Sequence, residues 1–299
     1  MKWFKVLCAV VLSFSLSQAA VLAAPQQPHA SSTTLKAVFY SESLQKEMNV
    51  NVYLPPNYGA QDKYPVLYVL HSYKLNEDHW FKALQVVKKA DELISSGKIE
   101  PMIIVAPKID NSFGVNSADR TGYMEGSGKP GDEGVLQTGK YEDYLTKDVV
   151  NFVDTHFNTM KSRTGRYIGG TSMGGFAALH IGLRHPNLYS KIGGHAPALF
   201  VGPMWDVLEK MIYPTDATRQ ENDPLALAAS QKLNKVSIYL DCGEQDDFKE
   251  ATKKLRDTLN VQKTKSFEFH STPGGKHDDA YWSSQMENYL LFYGGMDRE

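Results

Sequence analysis

The stretch Gly169-Gly170-Thr171-Ser172-Met173-Gly174-Gly175 constrains this chain more than any other, because it joins two hydrophobic patterns through a Gly-x-Ser-x-Gly frame. Arg166-Tyr167-Ile168 reads as the end of a short buried strand, and Phe176-Ala177-Ala178-Leu179-His180-Ile181-Gly182-Leu183 as an apolar helix. A sharp turn from strand to helix strains the backbone at Ser172 and crowds its neighbours, so small residues are needed on both sides. It also leaves the serine exposed with a helix N-terminus behind it, the setting of an activated nucleophile.

The rest of the chain supplies a fold in which such a turn belongs. Met48, Val50, Val52 and Leu54 alternate with Asn49, Asn51 and Tyr53, the period of a half-buried strand, and Pro55-Pro56-Asn57-Tyr58-Gly59 ends it. The apolar runs 65–70 and 102–106 read as central parallel strands, with a helical pattern over 80–94 between them. Leu145, Val149, Phe152, Val153 and Phe157 recur at helical spacing before the Ser172 strand. Strands are predicted at 191–194, 236–240 and 266–270, and helices at 248–259 and 280–292. The alternation predicts an α/β fold with a mostly parallel central sheet flanked by helices and an antiparallel N-terminal edge. Reactive groups in such sheets gather at the carboxyl ends of the strands, here after Leu70, Ala106, Gly170, Gly194, Leu240 and His270.

Residues 1–23 are expected to be a cleaved signal peptide: a basic start, an apolar run from Val6 to Leu16 that is shorter than a membrane span, and small residues before a cut after Ala23. The protein is therefore expected to be periplasmic or secreted, without stable membrane insertion. Residues 24–34 read as a disordered lead-in and 35–299 as one domain, with long insertions at its active end over 109–139 and 197–234. Removal of Cys8 leaves Cys242 as the single cysteine, so no internal disulfide is expected. The net charge of -2 comes from interspersed acids and bases, which gives no footprint for nucleic acid.

A serine nucleophile needs a base and an acid, and on this topology they follow it in the order Ser, Asp or Glu, His. The loop after Leu240 carries Asp241, Asp246 and Asp247; the loop after the next strand carries His277. His277 is the predicted base. Asp246, at mid-loop, is the first choice for the acid, ahead of Asp241 and Asp247. His195, close behind the Ser172 helix, is the rival histidine, with a structural or pocket role. The backbone N–H of Met173 is one expected oxyanion donor, and that of Tyr73, with Ser72 as alternative, the other. Tyr123, His195 and Trp205 are candidates to line a substrate pocket. A metal site at His277-Asp278-Asp279 is not expected, because adjacent residues of one loop rarely converge on an ion.

With these residues placed, the chain resembles the putative-esterase family of α/β-hydrolases, which includes esterase D-like enzymes, feruloyl, acetylxylan and enterochelin esterases, and mycolyltransferases. The resemblance rests on Val52-Tyr53-Leu54-Pro55, on 64–71, on Tyr141-Glu142-Asp143-Tyr144-Leu145, and on the Ser172 turn through His185-Pro186. It continues through Asn222-Asp223-Pro224-Leu225, the segment Leu240 to Asp246, and His277 to Tyr281-Trp282. It implies an α/β-hydrolase fold, the triad Ser172, Asp246 and His277, no cofactor, and a small-molecule or carbohydrate-linked ester as substrate. The chain departs from the family pattern in carrying His71-Ser72 where His-Gly is usual. Transfer of the acyl group to an alcohol would use the same triad, and a non-catalytic carbohydrate- or siderophore-binding role is the reading from a different class.

Overall fold

Strand β1 (Thr33–Ser41) runs antiparallel to β2 (Lys46–Leu54), and β2 in turn runs antiparallel to β4 (Ile103–Pro107). From β4 onward every pairing is parallel, through β3 (Val66–Leu70), β7 (Arg166–Ser172), β8 (Lys191–Pro197), β9 (Ser237–Gly243) and β10 (Ser266–Thr272), giving the order β1-β2-β4-β3-β7-β8-β9-β10. A small ribbon pairs β5 (Asn116–Ser117) with β6 (Gly139–Lys140). The computed structural model describes residues 31–61, 63–117 and 135–295.

The continuous apolar runs of the central strands follow from burial on both faces. Val66, Tyr68 and Leu70 face one core with Ile103 and Val105, while Leu67 and Val69 face a second with Ile104 and Ala106. The first core is covered by α3 (Val149–His156), α4 (Met173–Arg184), α7 (Pro224–Ser230) and α8 (Lys249–Asn260), and the second by α1 (Val86–Ser95) and α9 (Asp279–Gly294). A short helix α2 (Tyr141–Asp143) and a π-helical stretch, Tyr144–Asp148, lead into α3. The sheet is therefore mostly parallel, flanked on both faces and antiparallel at its N-terminal edge, as the pattern predicts.

Several boundaries differ from the sequence reading. Thr33 and Thr34, assigned to a disordered lead-in, already pair with Leu54 and Tyr53. β1 escapes a periodicity reading because its polar start hides an alternation in which Ala37 and Ser41 are buried and Lys36, Val38 and Tyr40 are exposed. The helix predicted over 80–94 is two pieces, a π-helical turn His79–Ala83 and α1, separated by Gln85 in the left-handed region at φ 55°. The insertion 197–234 holds three short helices, α5 (Asp206–Ile212), α6 (Asp216–Asn222) and α7, where two were expected. β8 continues past Gly194 to Pro197, with the register against β7 shifting at Thr171/Ser172 and Ala196 at φ 42°.

Candidate active site

Ser172 ends β7 and caps α4 at φ 55° and ψ −117°, a conformation an L-residue holds only when the surrounding fold imposes it. The fold imposes it by close packing. A Cβ on Gly174 would collide with the carbonyl of Leu70 in the neighbouring strand, so only glycine lets α4 start this close to β3. The carbonyl of Ser172 accepts from the N–H of Ala198 at 2.9 Å, which ties the turn to the end of β8.

The loops after β9 and β10 are stitched together beside it. The Gln245 N–H donates to the Gly275 carbonyl at 2.8 Å and the Glu244 N–H to the Thr272 carbonyl at 3.0 Å. Asp246 hangs from this pair of loops with its side chain fully buried; its Oδ1 accepts from the Phe248 N–H at 2.7 Å and its Oδ2 lies 2.8 Å from His277 Nδ1. The other ring nitrogen, Nε2, lies 2.7 Å from Ser172 Oγ. A carboxylate can only accept, so Nδ1–H donates to Asp246 and Nε2 is left to accept the serine proton. Asp278 follows directly and caps α9 by accepting from the Tyr281 N–H at 2.9 Å, which fixes the chain on which His277 sits.

The rival acids and the rival histidine lie elsewhere. Asp241 is fully buried in the second core, where it accepts from the hydroxyls of Tyr281 at 2.6 Å and Tyr289 at 2.8 Å and from the Ala196 N–H at 3.2 Å. His195 faces that same cluster, 3.5 Å from Asp241 and bonded to the Tyr293 hydroxyl, so it does not line the cleft. The register of β8 explains this, since its buried residues alternate between the faces and His195 falls on the face opposite α4. Asp247 is exposed.

The loop after β3 closes the site from the other side. His71 is buried, accepts from the Ile109 N–H at Nε2 and donates from Nδ1 to the Ser72 carbonyl; burial pushes its pKa down to about 4, so it stays neutral. The Ser72 N–H donates to His79 Nδ1 at 3.4 Å, and its hydroxyl pairs with Thr171 Oγ1 at 2.8 Å. Ser72 is not among the residues with positive φ, whereas Lys74 in the same loop is, at 64°; its Cβ therefore meets no backbone obstacle of the kind glycine would relieve. Met173 opens α4, where first-turn N–H groups point out of the helix.

These elements surround a cleft of about 1030 Å³ that contains Ser172, Met173, Tyr73 and His277. Its wall is a run of aromatic rings in successive contact: Trp205, Tyr73, Phe113, Phe200, Phe248, then His277 and Trp282, at centroid distances of 4.9 to 6.3 Å. Trp205 stands at the rim, 65% exposed. Tyr123 lies outside the described residues. Among the described residues no cluster of three or more His, Cys, Asp or Glu side chains could hold a metal ion, and no helix is long and apolar enough to cross a membrane.

Residues 41–293 match the family described as Esterase, putative esterase. The chain belongs to that family. A curated relative, an endo-1,4-beta-xylanase/feruloyl esterase of Xylanibacter ruminicola, is 32% identical over 164 residues; the match covers 53% of this chain and 20% of the relative, so this chain spans about a fifth of its length. A solved ferulic acid esterase superposes with a TM-score of 0.71 at 21% identity, covering 89% of this chain and 99% of its own. An S-formylglutathione hydrolase from Agrobacterium tumefaciens does so with a TM-score of 0.68 at 19% identity, covering 90% and 97%. At these identities the structures speak for the α/β-hydrolase fold.

Within this family member, sequence reasoning passed over Phe113, Phe200 and Phe248 as cleft residues. Phe200 and Phe248 carried a usable signal, since each follows the carboxyl end of a strand within a few residues. Phe113 carried a weaker one: it lies in the 109–139 insertion, six residues past the end of β4, but it reaches the cleft through a left-handed turn at φ 56° that nothing in its neighbourhood announces.

Proposed function

We propose that this protein is a serine esterase that hydrolyses esters of an apolar, aromatic acyl group through an acyl-enzyme. The observation that carries the mechanism is the continuous hydrogen-bonded line from Asp246 through His277 to Ser172 Oγ. Ser172 Oγ forms the bond to the acyl carbon while its proton passes to His277 Nε2, and Asp246 stabilises the imidazolium that results. The negative charge that develops on the carbonyl oxygen is met by the N–H groups of Met173 and Tyr73. Ser72 is the weaker choice for the second donor, because its own N–H is already directed to His79. Collapse breaks the bond to the alcohol, which leaves with the proton from His277. A water then gives its proton to the same nitrogen, attacks the acyl carbon and releases the acid with Ser172 restored.

The cleft supports the acyl preference, since Tyr73, Phe113, Phe200, Phe248, Trp205 and Trp282 line it beside Ser172, and relatives named for ferulic acid agree with it. We further propose export by removal of residues 1–23, on the strength of the basic, apolar and small-residue order of that segment.

Ser172→Ala tests the mechanism: turnover of p-nitrophenyl acetate should fall by about 10⁴-fold or more with folding retained, and fluorophosphonate labelling should vanish. Full activity in that variant would overturn the assignment. The acyl preference predicts a higher kcat/KM for methyl hydroxycinnamates than for methyl acetate. Trp205→Ala should narrow that gap by about 5- to 10-fold, the value of one aromatic contact; equal kcat/KM for the two acyl groups in the wild type would rule the preference out.

A further inference from the structure

Outside the Asp246–His277–Ser172 line, a second carboxylate–imidazole pair reaches the cleft wall at Asp279, with its imidazole, His79, buried behind it. His79 begins the π-helical turn after β3, with its side chain 1% exposed. Its Nε2 lies 2.9 Å from Oδ1 of Asp279, the first residue of α9, and its Nδ1 accepts from the Ser72 N–H at 3.4 Å. The amide can only donate and the carboxylate can only accept, so both contacts together select the neutral ring protonated at Nε2. Burial, which pulls the His79 pKa below its ordinary value against the opposing pull of Asp279, favours the same neutral form. Trp282, also on α9, stands edge-on to both imidazoles, 6.0 Å from His79 and 5.2 Å from His277.

The Ser72 N–H is one peptide away from the N–H of Tyr73. His79 holds the peptide plane before the Ser72 Cα, which carries the Ser72 N–H. His71 Nδ1 holds the plane after it, which carries the Tyr73 N–H, through the Ser72 carbonyl at 2.9 Å; the two imidazoles together fix the backbone on both sides of Ser72. We infer that His79, oriented by Asp279, is a positioning residue that acts with His71 to aim the Ser72–Tyr73 backbone at the oxyanion and couples that loop to the helix following His277. The inference rests on the serine-esterase reading above. It assigns His79 no contact with substrate: the ring holds a loop, and the loop donates.

Shape separates the two contacts of the ring. The side-chain oxygen of Asn reaches the position of Nδ1 and can still accept from Ser72, whereas Gln reaches the position of Nε2 and keeps only the link to Asp279. In His79→Ala, kcat should fall by about 30-fold with KM within about 3-fold, a partial loss of the effect of one oxyanion donor. The Ki of an aryl trifluoromethyl ketone, which adds to the serine as a tetrahedral oxyanion, should weaken by the same factor. His79→Asn should recover most of both losses and His79→Gln should not. Asp279→Ala, made at the half-exposed end of the pair where folding is not at stake, should lower kcat by about 5-fold on the same grounds. Unchanged kcat and Ki in His79→Ala and Asp279→Ala, or equal rescue by Asn and Gln, would overturn the inference. If the wild type itself neither turns over esters nor takes a fluorophosphonate label, the esterase reading fails instead. A wild type active through Ser172 alongside unaffected variants isolates the failure to His79.

Discussion

Two aspartates five positions apart, Asp241 within β9 and Asp246 in the loop that follows it, have opposite surroundings, and their chemistry follows from those surroundings. Asp246 meets a histidine and a backbone N–H, while Asp241 meets two tyrosine hydroxyls and a backbone N–H beneath the sheet. The sequence ranks them by distance from the strand end alone; it holds no sign of the tyrosines of α9 that claim Asp241, because those lie 40 and 48 residues away. Asp246→Asn is expected to lower kcat by about 10³- to 10⁴-fold, with the unfolding midpoint near wild type, because the imidazole loses the partner that selects its tautomer. Asp241→Asn is expected to do the reverse, costing about 2 to 3 kcal/mol of stability as charged hydrogen bonds are lost, with kcat within a few-fold. Esterase assays and urea unfolding on both variants distinguish the two roles; a catalytic collapse in Asp241→Asn would exchange them.

At the scale of elements, sequence legibility follows burial. Strands covered on both faces, such as β3 and β4, are apolar throughout and announce themselves. β1, at the edge, does not, and neither does the break at Gln85 that splits the first helix, because its left-handed backbone is imposed by the turn around it. The Tyr141-Glu142-Asp143-Tyr144-Leu145 segment carries a further consequence. Glu142 is buried against α4, where its carboxylate lies 2.6 Å from His185 Nε2 and 3.3 Å from His180 Nε2 and pairs with Arg184 Nε at 3.0 Å, while His180 Nδ1 lies 3.0 Å from the Asn222 carbonyl at the end of α6. Burial alone would raise the Glu142 pKa, but the hydrogen bonds from His180 and His185 and the Arg184 charge outweigh it and hold the carboxyl well below its ordinary 4.5. A carboxyl depressed in the folded state stabilises fully above its unfolded value and loses that contribution as pH falls below about 4.5 toward the folded value. Glu142→Gln should therefore cost about 3 kcal/mol at pH 7, and the gap to wild type should narrow at pH 4 and below. Denaturant titrations from pH 7 to pH 3 measure it, and a gap that stays constant across that range would show that the charge of Glu142 is not what holds α2 and α4 together.

Among the described residues the molecule has two cores and one cysteine, placed between the loops that carry Asp246 and His277 and the interior. Cys242 sits in β9, fully buried, and burial pushes its thiol up to about 11, so the folded protein should present almost no thiolate at neutral pH. The thiol count then reports on the N-terminal segment as well as on the fold. The full chain has Cys8 and Cys242, and the proposed cleavage after Ala23 would remove the first. Protein recovered from an export-competent host should give one thiol per chain with dithionitrobenzoate in guanidinium chloride and reaction at least about 100-fold slower without denaturant, the protection expected of a core strand that opens only on global unfolding. Two thiols in denaturant would show that residues 1–23 are retained, whereas fast reaction of the native protein would show β9 opening locally. Reducing agent should leave the thermal midpoint unchanged in either case, since the packing of a mostly parallel sheet between two helical layers is what holds the Ser172 turn and its partner loops in register.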